Sequence, residues 1–182
     1  MDDFDFTQNF EIDETYFVNF LHLNMEEQEM IRNWRNSEKI RKWMYTDHII
    51  SKDEHTGFME SLKNNRHNFY WLMKLWGQYT GVLYFKQTDF RNKNIYFGIY
   101  ANPDCKLLGI GTKFDTLAIK LAFEYAGFHS LHLEVIEDNR AVIDLHERMG
   151  FDKEGKLKEF VQKDGIWKDV IIMGMINKNN NI

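Results

Sequence analysis

The chain has 182 residues and a formal net charge of −5, a size that suits one domain around one sizeable core and a charge that argues against a broad electrostatic grip on nucleic acid. A single cysteine, Cys105, excludes an internal disulfide framework and a cysteine-rich metal site, so no metal is expected. No apolar run is long enough to span a bilayer, and the start Met1-Asp2-Asp3-Phe4-Asp5 lacks the basic and apolar regions of a signal peptide; the expectation is a cytoplasmic enzyme or binding module with no membrane partner.

No repeat and no Pro/Gly/Ser-rich linker interrupts the chain, so residues 1–176 are expected to form a single domain, with the Asn-rich tail 177–182 frayed and the acidic first dozen residues loose. Residues 15–23 (TYFVNFLHL) read as a first strand. Asn24 and Glu27 have the spacing of a capping box that opens a helix with Met30, Ile31 and Trp34 on one side. Ser51 and Glu54 repeat that signal, and spacings of three, four and seven place His55, Phe58, Met59 and Leu62 on one helical face. Residues 69–76 and 79–86 are rich in aromatic and aliphatic side chains and read as a hairpin through Gly77-Gln78. Residues 94–100 (NIYFGIY) form a further strand, with Ile95, Phe97 and Ile99 on one side.

After Gly109-Ile110-Gly111 an apolar stripe through Phe114, Leu117, Ala118 and Leu121 marks a long helix that Gly127 can stop. Residues 131–136 alternate as a strand, 139–149 form a short helix ended by Gly150, and two last strands, 151–163 and 167–176, meet at the turn Asp164-Gly165. The order β-α-α-β-β-β-α-β-α-β-β predicts an α/β sandwich around a mixed sheet, with a right-handed crossover between residues 94 and 136.

The segment Lys106-Leu107-Leu108-Gly109-Ile110-Gly111 lies between a strand and a long helix. Glycines there let a backbone approach a ligand, and free N–H groups with the helix dipole suit phosphate; a tight turn alone would look the same. A dinucleotide fingerprint would need a third glycine after the first strand, and a Walker loop would need Gly-Lys-Ser/Thr, where the chain has Gly111-Thr112-Lys113. The second informative segment runs from Glu134 through Asn139 and His146 to Gly150-Phe151.

Together these two segments resemble the acetyl-CoA signature of the GNAT superfamily, in which Q/R-x-x-G-x-G/A precedes a strand, an Asn and a short helix ending in a tyrosine and Gly-Phe. The resemblance spans residues 26–175. It implies an N-acetyltransferase with the GNAT fold, α/β (α+β), in which a mixed, mostly antiparallel sheet of about seven strands has splayed central strands and helices on both faces. It implies that strands 94–100 and 131–136 diverge and that acetyl-CoA lies in the gap, bonded to backbone near Phe97 and Ile99. The pyrophosphate would rest on the N–H groups of Leu108, Gly109, Ile110, Gly111 and Thr112, with Lys106 (where Gln or Arg is usual) and Asn139 completing the cofactor site. A backbone N–H would polarise the thioester carbonyl, and the amine would attack directly. His146 stands where the family has its tyrosine acid; the imidazole can protonate the departing thiolate, or it can be a satisfied core histidine beside Val142, Leu145 and Met149.

In the N-terminal half, Trp34-Arg35-Asn36, Trp43-Met44-Tyr45 and His55-x-x-Phe58 are similar to PseH-type enzymes of pseudaminic acid biosynthesis, which acetylate a UDP-linked 4-amino-4,6-dideoxy sugar and feed flagellin glycosylation. The similarity continues in Gly98-Ile99-Tyr100 and in residues 131–135 and 154–158. It implies a nucleotide-sugar substrate held by Arg35, Asn36, Trp43, Met44, Tyr45, His55 and Phe58. Arg35 suits diphosphate oxygens and the aromatics suit uracil or a deoxy sugar face. Tyr100 and Glu134 would face the reacting amine, Glu134 as a base acting through water. Plainer readings stand beside these: Arg35 as a surface charge, Trp43, Met44 and Phe58 as core, Glu134 as a structural carboxylate, and Cys105 as incidental. The last hairpin also resembles GNAT enzymes that acetylate polyamines or ribosomal-protein N-termini, and the histidine at 146 leaves a non-catalytic acetyl-CoA-binding module as the alternative of another class. The resemblance also implies a homodimer paired by terminal strands.

Overall fold

The structure, a computed structural model, describes residues 4–178. Among them one eight-stranded sheet has the order β1-β2-β3-β4-β5-β6-β8-β7. The strands are β1 (Phe10–Ile12), β2 (Thr15–Asn19), β3 (Phe69–Leu75), β4 (Gln78–Asp89), β5 (Asn94–Ala101), β6 (Ser130–Ile136), β7 (Asp152–Lys163) and β8 (Ile166–Ile176). The helices are α1 (Met25–Asn36), α2 (Glu38–Arg41), α3 (Lys52–Leu62), α4 (Ile110–Lys120), which runs on through one π-turn, and α5 (Arg140–Arg148). No helix among the described residues is long and apolar enough to cross a membrane.

Local chemistry starts the elements where expected. Both capping boxes form: Asn24 with Glu27 opens α1, and Ser51 with Glu54 opens α3. A side-chain cap of this kind is worth about 1 kcal/mol. Asp164 and Gly165 both have positive φ, at 49° and 78°, as a two-residue turn that follows the strand twist requires. The earlier hairpin turns on Trp76-Gly77 rather than Gly77-Gln78, because those two residues hold the positive φ values.

Alternate residues of the strands supply two cores. Phe17, Trp71, Met73, Leu83 and Phe85 face α4 and α5. Val18, Leu72 and Val82 face α1 and α3, where Ile31, Trp34, Met59 and Leu62 meet them. Each such side chain taken fully from water stabilises the fold by roughly 1.5–3 kcal/mol. The helices thus cover both faces of the sheet, as expected.

The additional strand, β1, lies in the segment expected to be loose. Phe4, Phe6 and Phe10 interlock, with centroids 5.0 and 5.1 Å from Phe4, and Phe10 stacks on Phe17; aromatic burial outweighs the acidic composition. The first long strand ends at Asn19 instead of 23, since the Asn19 side chain accepts the Leu21 N–H at 2.9 Å and starts a 3-10 turn. α2 is new as well; four residues are too few to show a helical period. At the other end Asn177 is buried and its N–H donates to the His129 carbonyl at 2.8 Å, so the frayed tail cannot begin there; 179–182 and 1–3 lie outside the described residues.

One irregularity positions the site. β5 and β6 are parallel neighbours but pair only through Asn94↔Ser130, Ile95↔Leu131 and Tyr96↔His132. Beyond Tyr96 the outer edges stay bonded, β5 to β4 as far as Ala101 and β6 to β8 as far as Ile136. The sheet therefore opens as a wedge between two strands that each remain anchored on the far side.

Candidate active site

A cavity of about 630 Å³ fills this wedge. One part of its wall comes from the start of α4 and from α5, with Gly111, Asn139, Val142, Leu145 and His146. The other comes from α1, α2, the loop behind α2 and β4, with Arg35, Lys39, Trp43, Met44, Tyr45 and Lys86. Phe97, Ile99 and Tyr100 of β5 and Glu134 of β6 lie between them.

In the first part, α4 begins without any side-chain cap. Gly109 precedes it at φ 72°, a left-handed conformation glycine adopts freely, and Lys113 N–H makes the first return bond to the Gly109 carbonyl at 3.1 Å. The N–H groups of Ile110, Gly111 and Thr112 are thus the orphan donors of a helix start. A Cβ on Gly111 would come within 2.9 Å of Leu145, so glycine there also lets α4 and α5 approach. Asn139 stands at the cap position of α5 yet its side chain makes no cap bond. Of the expected cofactor residues, Phe97, Ile99, Gly111 and Asn139 are on the cavity wall. Lys106, Leu108, Gly109, Ile110 and Thr112 belong to the turn entering α4 and are not on that wall; Leu108 is fully exposed.

His146 is buried, but not as a plain core residue. Its Nδ1 lies 2.8 Å from Oδ2 of Asp115 on α4, itself buried. Phe97 and Phe151 approach the ring edge-on at 6.0 and 5.6 Å. Asp115 was not recognisable in the sequence; the signal that could have found it is a carboxylate inside the apolar stripe Phe114–Leu121.

In the second part, Tyr45 donates its hydroxyl proton to Oε2 of Glu134 at 2.8 Å. Burial first and the Glu134 carboxylate second hold that hydroxyl far above the ordinary tyrosine range. Tyr84 and Tyr100 line this part of the cavity; Tyr70, off that wall, stacks on Tyr84 at 5.2 Å, and Gly98 leaves the space that the Tyr84 ring occupies. Burial raises all three hydroxyls, Tyr70 to about 12, while the Arg35 charge opposes the rise. Arg35 Nη1 is buried with no hydrogen-bond partner among the described residues. The Lys86 ammonium lies 5.3 Å over the Tyr84 ring, and burial lowers its proton affinity.

The loop bearing Trp43, Met44 and Tyr45 is held from outside. Lys163 of β7, itself buried, donates to the Met44 carbonyl at 2.7 Å and the Arg41 carbonyl at 3.2 Å. Lys39 donates to the Pro103 carbonyl at 2.9 Å, tying α2 to the loop behind β5. Three expected substrate residues are not on the cavity wall. Asn36 spends its amide on both backbone groups of Ile50, at 2.8 and 2.9 Å. His55 is buried between α3 and α1, facing the Gln28 backbone. Phe58 packs edge-on to Tyr70 in the helical core, 5.1 Å between centroids.

A wedge between parallel strands, closed at one end by an uncapped helix start, is the arrangement that the resemblance implied, and a model of the family described as acetyltransferase (GNAT) domain matches residues 23–172. The chain belongs to the GNAT acetyltransferase family. Acetyltransferase PseH of Campylobacter jejuni (strain 81-176) is 33% identical over 142 residues, covering 78% of this chain and 87% of the relative. Among solved structures, the spermidine N-acetyltransferase from Vibrio cholerae in complex with CoA and spermine superposes with a TM-score of 0.81 at 19% identity, covering 91% of this chain and 96% of the other. The Campylobacter jejuni N-acetyltransferase PseH crystal structure gives 0.69 at 24%, covering 90% and 99%. At these identities the two structures share the GNAT fold with this chain. As a GNAT enzyme it is an acetyl-CoA-dependent N-acetyltransferase.

Proposed function

We propose that this enzyme transfers acetyl from acetyl-CoA to the 4-amino group of a UDP-linked 4-amino-4,6-dideoxy sugar. The observation that carries this reading is the buried, unpartnered Nη1 of Arg35 in a cavity region that also holds Lys39 and Lys86. A buried guanidinium nitrogen without a partner costs free energy unless a ligand supplies an acceptor, and a diphosphate does so twice over. The cavity-lining rings of Tyr84 and Tyr100 suit a flat base or the apolar face of a deoxy sugar. The similarity to the PseH enzyme of Campylobacter jejuni supports the same acceptor.

A polyamine is the rival acceptor, and the spermidine N-acetyltransferase of Vibrio cholerae shares the fold. The cavity wall has only two carboxylates among the described residues, and one of them, Asp115, is committed to His146. Three basic side chains facing Glu134, a carboxylate bonded to Tyr45 and not to a cation, disfavour a polycation.

Acetyl-CoA supplies an activated thioester carbonyl. The N–H groups entering α4 and the Asn139 side chain would hold its phosphates and amides, and the free edge of β5 beyond Tyr96 would orient its arm. Glu134 takes a proton from the incoming ammonium through a water, and the amine then attacks directly. His146 gives a proton to the leaving thiolate. Cys105 takes no part, because direct transfer needs no enzyme nucleophile.

The test is CoA release from acetyl-CoA by the purified protein with the UDP-4-amino sugar, spermidine and an N-terminal peptide in parallel. Turnover confined to the sugar nucleotide supports the proposal. Turnover only with spermidine or peptide rejects the sugar, and bound acetyl-CoA without any CoA release makes the chain a binding module.

A further inference from the structure

Asp115 is 1% exposed on the stripe of α4 where Phe114, Leu117 and Ala118 are buried, a place where an apolar residue would avoid the cost of burying a charge. Its one side-chain partner among the described residues is Nδ1 of His146, 2.8 Å away across the α4–α5 contact. Phe97 of β5 and Phe151 hold the imidazole from two further sides, and His146 is on the cavity wall.

We infer that Asp115 is the positioning residue of the proton donor: it fixes the His146 ring with Nδ1 turned to α4 and Nε2 turned to the cavity. This rests on the reading of His146 as the acid in the acetyl transfer. An ionised carboxylate can only accept, so the neutral ring keeps its proton on Nδ1 and presents a bare Nε2. His146 can then donate only as imidazolium, whose charge the Asp115 carboxylate balances in a dry site. As the C–N bond forms and the C–S bond breaks, the Nε2 proton passes to the thiolate sulfur and the ring returns to its neutral Nδ1–H form. The acceptor nitrogen gives up two protons, one from the ammonium before attack and one from the adduct as the amide forms; both leave through Glu134 and water to solvent, and solvent returns one to Nε2 before the next turnover.

The other titratable groups around the ring do not bond to it. Across the cavity stand Tyr96 and Tyr100 of β5, Glu134 of β6 and Cys105 of the loop before α4, with Tyr84 and Lys86 of β4 beyond. Arg35 and Lys39 line the far wall, Glu134 is engaged by Tyr45, and on α5 itself Glu147 pairs outward with Lys153 at 2.7 Å.

The test reads the tautomer and the split between kcat and acetyl-CoA affinity. In ¹⁵N-histidine-labelled protein at alkaline pH, the His146 signal, assigned by its absence in His146→Gln, is expected to carry its proton on Nδ1. Asp115→Asn is expected to keep acetyl-CoA affinity within about twofold and to lower kcat by roughly 10- to 100-fold. A neutral His146 protonated on Nε2 overturns the inference with no variant needed at position 115. Wild-type kcat in Asp115→Asn, with His146→Gln inactive, overturns it and leaves the acid reading standing. Full turnover in His146→Gln overturns both.

Discussion

Tyr45 and Glu134 are joined across the cavity by a 2.8 Å hydrogen bond, although one belongs to the loop behind α2 and the other to a central strand. Burial and the facing carboxylate keep the Tyr45 hydroxyl protonated throughout the working range, so it remains a donor and one oxygen of Glu134 is always committed. In the proposed reaction, Glu134 is thereby oriented by the same loop whose Trp43, Met44 and Tyr45 line the cavity.

Removing that donor separates orientation from proton transfer. Tyr45→Phe is expected to lower kcat/KM for the acceptor by about tenfold, the value of a hydrogen bond to a charged group, with the KM for acetyl-CoA unchanged. Glu134→Gln, which removes the base, is expected to lower kcat by about 100-fold or more. Steady-state kinetics with each substrate varied checks both; an unaltered acceptor kcat/KM in Tyr45→Phe would make the bond incidental.

Arg35 should act on the acceptor and not on acetyl-CoA. Arg35→Ala is expected to raise acceptor KM by roughly 10- to 100-fold, and Arg35→Lys should not restore it, because a point charge replaces a planar fork. Initial rates over a range of acceptor concentrations decide this. An equal rise in the KM for acetyl-CoA would move Arg35 to the cofactor side.

Lys163 links the last hairpin to the acceptor loop. Truncation to alanine leaves the Met44 carbonyl without its lysine donor and the Arg41 carbonyl with the Met44 N–H alone, at a cost of about 1–3 kcal/mol. For a chain of this size each kcal/mol moves the melting temperature by about 2–4 °C. A fall in Tm of roughly 3–10 °C is expected in calorimetry, with acceptor KM raised and the pH optimum unmoved.

Glu27 gives the stability a predictable acid limb. Burial pushes its carboxyl up, but the Asn24 N–H, Lys74 and Tyr79 together bring it below the ordinary value of 4.5. The folded protein thus binds this proton less tightly than the unfolded chain. The stabilisation is complete above about pH 4.5 and is lost as pH falls through the folded value. Glu27→Gln is expected to melt lower than wild type at pH 7, with the gap closing on acidification. A gap that stays constant with pH would assign the effect to packing alone.

The site was legible in unequal measure. Gly111 and Asn139, expected from the local pattern of a helix start and of the residue before a helix, line the cavity, whereas Gly109 shapes the start of α4 from outside that wall. His146 could be read as acid or as core, and it is a buried residue on the cavity wall whose Nδ1 meets the Asp115 carboxylate, a partner from another helix that local pattern does not show. Helical periodicity placed His55 and Phe58 on one face correctly, but did not show that this face looks into α1 and Tyr70 rather than into the cavity. The acidic N-terminal segment was misjudged because composition counts charges and not the spacing of Phe4, Phe6 and Phe10.

What the sequence by itself determined is what a few neighbouring residues decide: the two capping boxes, the Asp164-Gly165 turn, the alternation of β5 and the paired signature that marks a GNAT acetyltransferase. What only the tertiary structure decided is which side chains meet. Asp115 and His146 are 31 residues apart, Tyr45 and Glu134 are 89 apart, and Lys163 and Met44 are 119 apart. Those contacts exist because two differently covered faces of one sheet and one opened strand pair bring distant segments into a shared low-dielectric space. There an unpaired charge is costly, and each polar group must find its partner wherever the chain has placed one.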